Sequence, residues 1–379
     1  MMFEVKPFTA IEKNKWDEFV FSSSMGWVYF LYDMIKFHSN EHYINESFAI
    51  VDENNEIFMI MQLHRTPKNT LVSQWGFVLK DNLTRKQSRL VKLTFENYID
   101  SYMDKYNIGS FDASLPPLTT QNDPTKHLCI NPLMFYNFRP SIRYTYVVDL
   151  SKNKDRMLAD CEETTRQAIR KYSKSDLYSI VESNGTVEDC NIYIKLHKET
   201  FIRTGASKSI IVDSYHKNIF ETLIPEGLAK VYFLKDNMTN EYVATVAILL
   251  YSNKTAYYWW GASKNNKEIG INKYLLFNVI CKLKEYFNNE GYFETGGAYP
   301  FLRCGKYKGL NDFKKCFGTF LHPIYTGHYQ TLPVPHKVIK VLGIKIKYKS
   351  KSKVNTIIKK VMKLIPKIYR KMEEENDRK

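Results

Sequence analysis

At 379 residues, 44% hydrophobic and 25% charged, the chain has the composition of a soluble globular protein and the length of two domains, because single cores usually stop growing near about 250–300 residues. Its six cysteines, at 129, 161, 190, 281, 304 and 316, form no C-x-x-C pair, which argues against a zinc knuckle or a disulfide framework and for a reducing compartment. The net charge of +15 is lopsided: from Lys337 onward 15 Lys and Arg stand against 4 Asp and Glu, so +11 of it lies in the last 43 residues and the near-balanced remainder argues against a DNA-binding body.

The first residues, MMFEVKPFTAIEKNKW, carry acids and no apolar stretch of signal-peptide length, and no later run reaches 18 uninterrupted apolar residues. A cytoplasmic chain that does not span a membrane is the expectation. SFAIVDENNEIFMIMQLHR (47–65) predicts two strands around a polar turn, and LVSQWGFVL (71–79) a third. Residues 84–107 place Leu90, Val91, Leu93, Phe95, Tyr98, Ile99 and Tyr102 at helical spacing. IGSFDASLPP and IRYTYVVDL (142–150) predict two further strands.

The second half repeats this order. Helices are expected over 163–173, 187–203 and 213–223, then a hairpin in VYFLKDNMTNEYVATVAILL and a strand in TAYYWWGAS. A long amphipathic helix from Ile271, a strand in GYFETGG, a short helix in GLNDFKKCFG (309–318) and a strand in TFLHPIYTGHY complete it. Even local wording recurs, KYNIGSFDAS after the first long helix and NNEGYFETGG after the second. A period this long predicts a duplicated α/β domain and not a solenoid. The expected units are 1–150 and 151–332, followed by a basic tail at 333–379.

Hairpin, strand, long helix, strand is the order of the GNAT acyltransferase fold, and the tandem pair resembles the Fem family of peptidoglycan aminoacyltransferases and related envelope acyltransferases. The similarity runs from about residue 10 to 330. In the second unit TTRQAIRKYSK (164–174) resembles the family's arginine-rich helix, ETFIRTGAS (199–207) the helix end that meets the acceptor, and YYWWGAS the central strand. GGAYP (296–300) and FKKCFG (313–318) resemble the double-glycine strand end and the Phe-Lys helix behind it.

That resemblance implies an acyltransferase in which Lys314 lies in the reaction cleft. A preorganised cation in a partly dry site stabilises the tetrahedral oxyanion of acyl transfer far better than water does. Phe313 and Phe317 would hold the helix to the sheet, with Lys315 left in solvent. Lys36 and Arg203 correspond to residues that contact an acceptor's pyrophosphate. Arg166 and Arg170, at i and i+4, either clamp a phosphate or pair with Glu162 and Glu163. Tyr307 is either the acid that protonates a leaving thiolate or a packed aromatic.

The donor stays open between acyl-CoA and aminoacyl-tRNA, with no tightly bound cofactor and no metal. Where a CoA-binding turn is expected stands Lys267-Glu268-Ile269-Gly270-Ile271-Asn272, a loose K-x-x-G-x-N, in which Lys267, Gly270 and Asn272 would face the phosphates and Glu268 would repel them. The acceptor class is an envelope precursor, a nucleotide sugar or a lipid-linked one. In the tail, VNTIIKKVMKLIPKIYRKM alternates apolar residues and lysines, as a helix on an anionic bilayer would, or one packed on the body. A location at the inner face of the cytoplasmic membrane follows from the first alternative. HSNEH (38–42) matches an inverted zinc-peptidase string but stands ahead of a hairpin instead of inside a long helix. The rival readings are a CoA-dependent N-acyltransferase acting on a nucleotide sugar and a non-catalytic binder of membrane or nucleic acid.

Overall fold

The computed structural model describes residues 2–38, 43–120, 130–205, 213–251, 254–264 and 269–330. The basic tail, Lys267 and most of HSNEH lie outside them. The first half runs β1 (Phe3–Pro7), α1 (Lys13–Ser22), α2 (Tyr32–His38), β2 (Ile44–Asn45), β3 (Phe48–Asp52), β4 (Ile57–Met61), β5 (His64–Arg65), β6 (Leu71–Ser73), β7 (Phe77–Leu79), α3 (Arg85–Tyr106), β8 (Phe111–Ser114) and β9 (Phe138–Asp149). The second half runs α4 (Lys154–Asp160), α5 (Glu163–Ser173), β10 (Tyr178–Glu182), α6 (Val187–Thr204), α7 (Asp213–Asn218), β11 (Ala229–Asp236), β12 (Glu241–Tyr251), β13 (Thr255–Ser263), α8 (Ile271–Tyr286), β14 (Tyr292–Ala298), α9 (Lys306–Lys315) and β15 (Phe320–Tyr329).

Local chemistry explains the boundaries. Thr84 and Gln87 form a reciprocal capping box at the start of α3, and Asn107 ends that helix in the left-handed region. Thr186 caps α6, and Gly205, at φ +63°, closes it. β3 and β4, FAIVD and IFMIM, are buried at every position, as near-continuous apolar runs should be when both faces are covered.

Eleven strands form one sheet in the order β10-β11-β12-β13-β14-β9-β15-β8-β6-β5-β2, and β1-β3-β4-β7 form a second. The middle of the large sheet is nearly symmetric. β13 runs parallel to β14, as β6 does to β8, and between them β9 and β15 pair antiparallel from Phe320↔Val147 to Tyr329↔Phe138. The last strand of each half is thereby exchanged: β9 pairs with β14 of the second half, and β15 with β8 of the first.

Three apolar cores follow. One lies under α3 in the first half, around Phe48, Phe95 and Phe111. Another lies under α5 and α8 in the second, around Tyr172, Leu275 and Phe293. The third joins the halves, packing Trp16, Trp27 and Phe30 against Tyr193, Phe220 and Leu249. At that seam the Tyr251 hydroxyl donates to the Val20 carbonyl at 3.2 Å, and a Cβ on Gly26 would stand 2.2 Å from both oxygens. Only glycine permits so close an approach. The Lys13 ammonium bridges Asp33 of its own half and Glu226 of the other, the latter at 2.6 Å.

Candidate active site

The site forms where the sheet opens. β13 and β14 pair only over Thr255↔Tyr292, Ala256↔Phe293 and Tyr257↔Glu294, and then part. Just beyond, the register of β13 against β12 slips between Ala247↔Trp260 and Ile248↔Tyr258, so Trp259 is an extra residue that kinks the strand. On the other edge of β14 the register against β9 also shifts, between Glu294 and Gly297. Glu294 therefore stands at the last paired position before a split.

Strand alternation sends Phe293 into the core beneath α8 and Glu294 to the opposite face, beside Tyr257, against which Tyr29 and Trp75 of the first half pack. Glu294 is 1% exposed. Its Oε1 accepts from the Thr145 hydroxyl, while Oε2 is buried with no hydrogen-bond partner among the described residues. Burial drives its carboxyl up to about 8, against the opposing pull of the Thr145 hydroxyl, the Lys314 charge and the Gly296 N–H.

Lys314 arrives from α9. Phe313 and Phe317 are set edge to face at 5.4 Å and pack on the core of the second half, which fixes the last turn of the helix. Between them Lys314 is half-buried, and its ammonium donates to the Gly297 carbonyl at 3.4 Å. Gly296, at φ +81°, leaves the passage it uses: a Cβ there would stand 2.9 Å from Nζ and 3.8 Å from the Tyr257 hydroxyl. The double glycine and the Phe-Lys helix are thus two parts of one arrangement. Burial pushes the Lys314 ammonium below its ordinary value, and Glu294 pushes it back up. Lys315 is exposed and meets Glu162 at 3.8 Å.

A cavity of about 170 Å³ lies between β12, β13, α6, α8 and the Phe313 turn of α9, with Arg203, Asn272, Tyr258, Ser263 and Leu276 in its lining and neither Glu294 nor Lys314 among the lining residues. Three residues singled out from sequence, Arg203, Asn272 and Phe313, thus line one cavity from three different helices. Arg203 and Thr200, on one face of α6, both donate to the Ser263 carbonyl, at 3.0 and 2.9 Å, and Asn272 donates to the Ser263 hydroxyl at 3.2 Å. Gly270 holds φ +91° at the start of α8, where a Cβ would meet Ala168 at 2.6 Å. Burial pushes the Tyr258 phenol up to about 12.

The remaining candidates lie apart from this cluster. Arg166 donates to the carbonyls of Ala159, at 3.0 Å, and Cys161, and pairs with Glu163; Arg170 is exposed on the last turn of α5. Of the two sequence readings of this pair, the structure displays the ion pair for Arg166. Lys36 is exposed beside the Tyr32 ring and lines a different cavity, of about 270 Å³, with Asp33 and Asn218. Tyr307 is exposed on the first turn of α9, its ring 6.0 Å from that of Tyr299. Among the described residues no three His, Cys, Asp or Glu side chains gather as a metal site would require. Glu294 escaped the sequence reading. Its signal was a lone acid inside the apolar strand GYFETGG.

The GNAT acetyltransferase domain family matches residues 159–308. No curated protein sequence matches. Among solved structures, FemX is similar at 17% identity over 89% of this chain and 99% of its own, with a TM-score of 0.62. L-PGS from Bacillus licheniformis is similar at 13% identity over 88% of this chain and 96% of its own, with a TM-score of 0.57. A tandem GNAT protein from the clavulanic acid biosynthesis pathway matches at 11% identity over 86% of this chain and 98% of its own, at 0.50. These likenesses extend the fold over both halves, beyond the matched domain. Residues 159–308 are a GNAT acetyltransferase domain, which makes the chain an acyltransferase, and the fold across both halves is similar to that of FemX.

Proposed function

We propose that this enzyme moves an acyl or aminoacyl group from an activated ester or thioester onto an amine of a cell-envelope precursor. The observation that carries the reading is the Glu294 carboxyl, buried at the mouth of the β13–β14 split, with the Lys314 ammonium on the Gly296–Gly297 backbone that follows it. An amine reaches the site as an ammonium ion and must lose a proton to attack. Glu294, with its carboxyl at about 8, accepts that proton in its ionised form, whose share grows as pH rises towards that value. As nitrogen adds to the carbonyl carbon, the carbonyl oxygen gains negative charge. Lys314 supplies a fixed positive charge for it. Collapse of the tetrahedral adduct expels the thiolate or alkoxide, which takes the proton held by Glu294; the carboxylate so freed takes the second proton from the attacking nitrogen as the amide forms and releases it to water before the next turnover.

The envelope acceptor is supported by the likeness to FemX and L-PGS and by the motifs that resemble the Fem family. Among the described residues no helix is long and apolar enough to cross a membrane, so a membrane-bound acceptor would be met from one side. A second reading, acyl-CoA as donor and a nucleotide sugar as acceptor, is favoured by the start of α8. Gly270 caps that helix with no side-chain hydrogen bond, which leaves first-turn N–H groups to receive a phosphate.

The test is direct. The purified enzyme is given acetyl-CoA or a mixture of aminoacyl-tRNAs, together with amine-bearing nucleotide-sugar and lipid-linked precursors, and the products are weighed by mass spectrometry. A mass gain that disappears in Lys314→Ala is expected. Unmodified acceptors with both donors would overturn the proposal. Ribonuclease-sensitive transfer would select the aminoacyl form, and ribonuclease-resistant transfer from CoA the second reading.

A further inference from the structure

Immediately after β14 the chain makes a loop that leads into α9, and among the described residues this segment shows an apolar surface that no other part covers. Phe301 is 87% exposed, the highest exposure of any aromatic ring among the described residues, and Tyr299, Leu302, Tyr307 and Leu310 are exposed with it. The loop is held in place. The Tyr299 N–H donates to Oδ1 of the buried Asn311 at 2.8 Å, and the Leu302 N–H to the Tyr299 carbonyl at 3.0 Å. So the apolar side chains are presented by a fixed backbone. Contiguous exposed apolar surface of this kind marks a place where something docks.

Charge identifies the partner. From 299 to 310 the sequence reads YPFLRCGKYKGL, with three cations and no acid. The next acid, Asp312, is occupied by Lys308 at 2.5 Å. Arg139 and Arg143, on the neighbouring β9, are exposed as well. We infer that this segment is a membrane-docking surface: Phe301, Leu302 and Leu310 enter the edge of an anionic bilayer, the Tyr299 and Tyr307 rings sit at its headgroup level, and Arg303 meets lipid phosphates. A nucleic acid would use the rings for stacking but would leave the leucines in water. The docked face adjoins the active site, since Tyr307 precedes Lys314 by two turns of the same helix. A lipid-linked amine would therefore reach Glu294 without leaving the membrane surface. That last step rests on the envelope-acceptor reading, whereas docking itself does not.

Cys304 offers a local probe. It is exposed, while Cys161, Cys190, Cys281 and Cys316 are buried. The full-length chain carrying Cys129→Ser is labelled at Cys304 with an environment-sensitive dye and mixed with vesicles of phosphatidylcholine, alone or with phosphatidylglycerol. The expected result is a blue shift of the dye with the anionic vesicles that weakens in high salt. Phe301→Ser with Leu302→Ser should lower vesicle partitioning about tenfold or more while turnover on a water-soluble amine persists. An unchanged dye signal with anionic vesicles, or partitioning of the double variant equal to its parent, would overturn the inference. So would a shift produced by single-stranded RNA and not by vesicles. Vesicle binding is scored without turnover, so a failure here is distinct from a failure of the acyl-transfer proposal.

Discussion

Glu294 and Asp112 occupy corresponding places in the two halves, each following a phenylalanine on the strand after a long helix, and each strand runs parallel to an earlier strand of its half, β14 to β13 and β8 to β6. Their surroundings differ. Glu294 is buried opposite Lys314, whereas Asp112 is exposed and paired with His328 at 3.1 Å. The second half follows its strand with α9, which carries the lysine; in the first, the described residues between β8 and β9 include the short 3-10 turn Pro132–Tyr136 and no such helix. The first half also breaks its sheet, since β6 joins the large sheet and β7 the small one, with Gly76 at φ +74° turning the chain between them. Trp75, beside that break, reaches across to Tyr257. Under the proposed function the second copy alone carries the reacting carboxyl, and the first packs Tyr29 and Trp75 against Tyr257 beside it.

The sharpest test of this asymmetry is Lys314→Ala, expected to lower kcat by roughly 10²–10³-fold, the loss typical of a removed oxyanion-stabilising group. Steady-state kinetics on any acceptor that is turned over would check it. Glu294→Gln comes next, with a fall of roughly 10²-fold and loss of the acid limb of the pH–rate profile. In the parent that limb should rise towards about 8, where Glu294 ionises, and the alkaline limb should turn below 10.5 as Lys314 loses its proton. An unshifted profile in Glu294→Gln would remove the carboxyl from the mechanism.

Stability should respond with a definite sign. Folded Glu294 keeps its proton to about 8, and in the unfolded chain it would lose it near 4.5. The folded state therefore binds more protons across that window, so stability declines as pH rises from about 4.5 to about 8. Denaturation of Glu294→Gln should show a shallower decline. Gly296→Ala places a Cβ against the Lys314 ammonium at a positive φ; about 1–2 kcal/mol of stability should be lost, and turnover with it. The smallest effect belongs to the first half. Asp112→Asn and His328→Ala should each change stability by within about 0.5 kcal/mol and leave turnover intact, because the pair is exposed. A large loss of turnover in either would mean that both halves take part in the chemistry.

Most of the fold was legible because its signals are local. The spacing of Val91, Phe95, Ile99 and Tyr102 gave α3, and the repeated order of elements gave the duplication. The exchange of β9 and β15 was not legible, since alternation shows which face of a strand is buried but not its neighbour. α1 and α2 also went unread, for their burial comes from the seam between halves: Trp16, Val20, Met34 and Ile35 are fully enclosed there. At the site, the Phe-Lys string located Lys314. Glu294 needed three dimensions, because a lone acid in a strand gains meaning only when a cation arrives from elsewhere in the chain.

The reciprocal placement of β9 and β15 has a consequence for the protein's history. A fragment cut near residue 150 would strand β9 away from β14 and leave β8 without β15, so each piece would display a naked ladder edge prone to self-association. Either half expressed alone is therefore expected to come out insoluble, which a soluble-fraction assay would check.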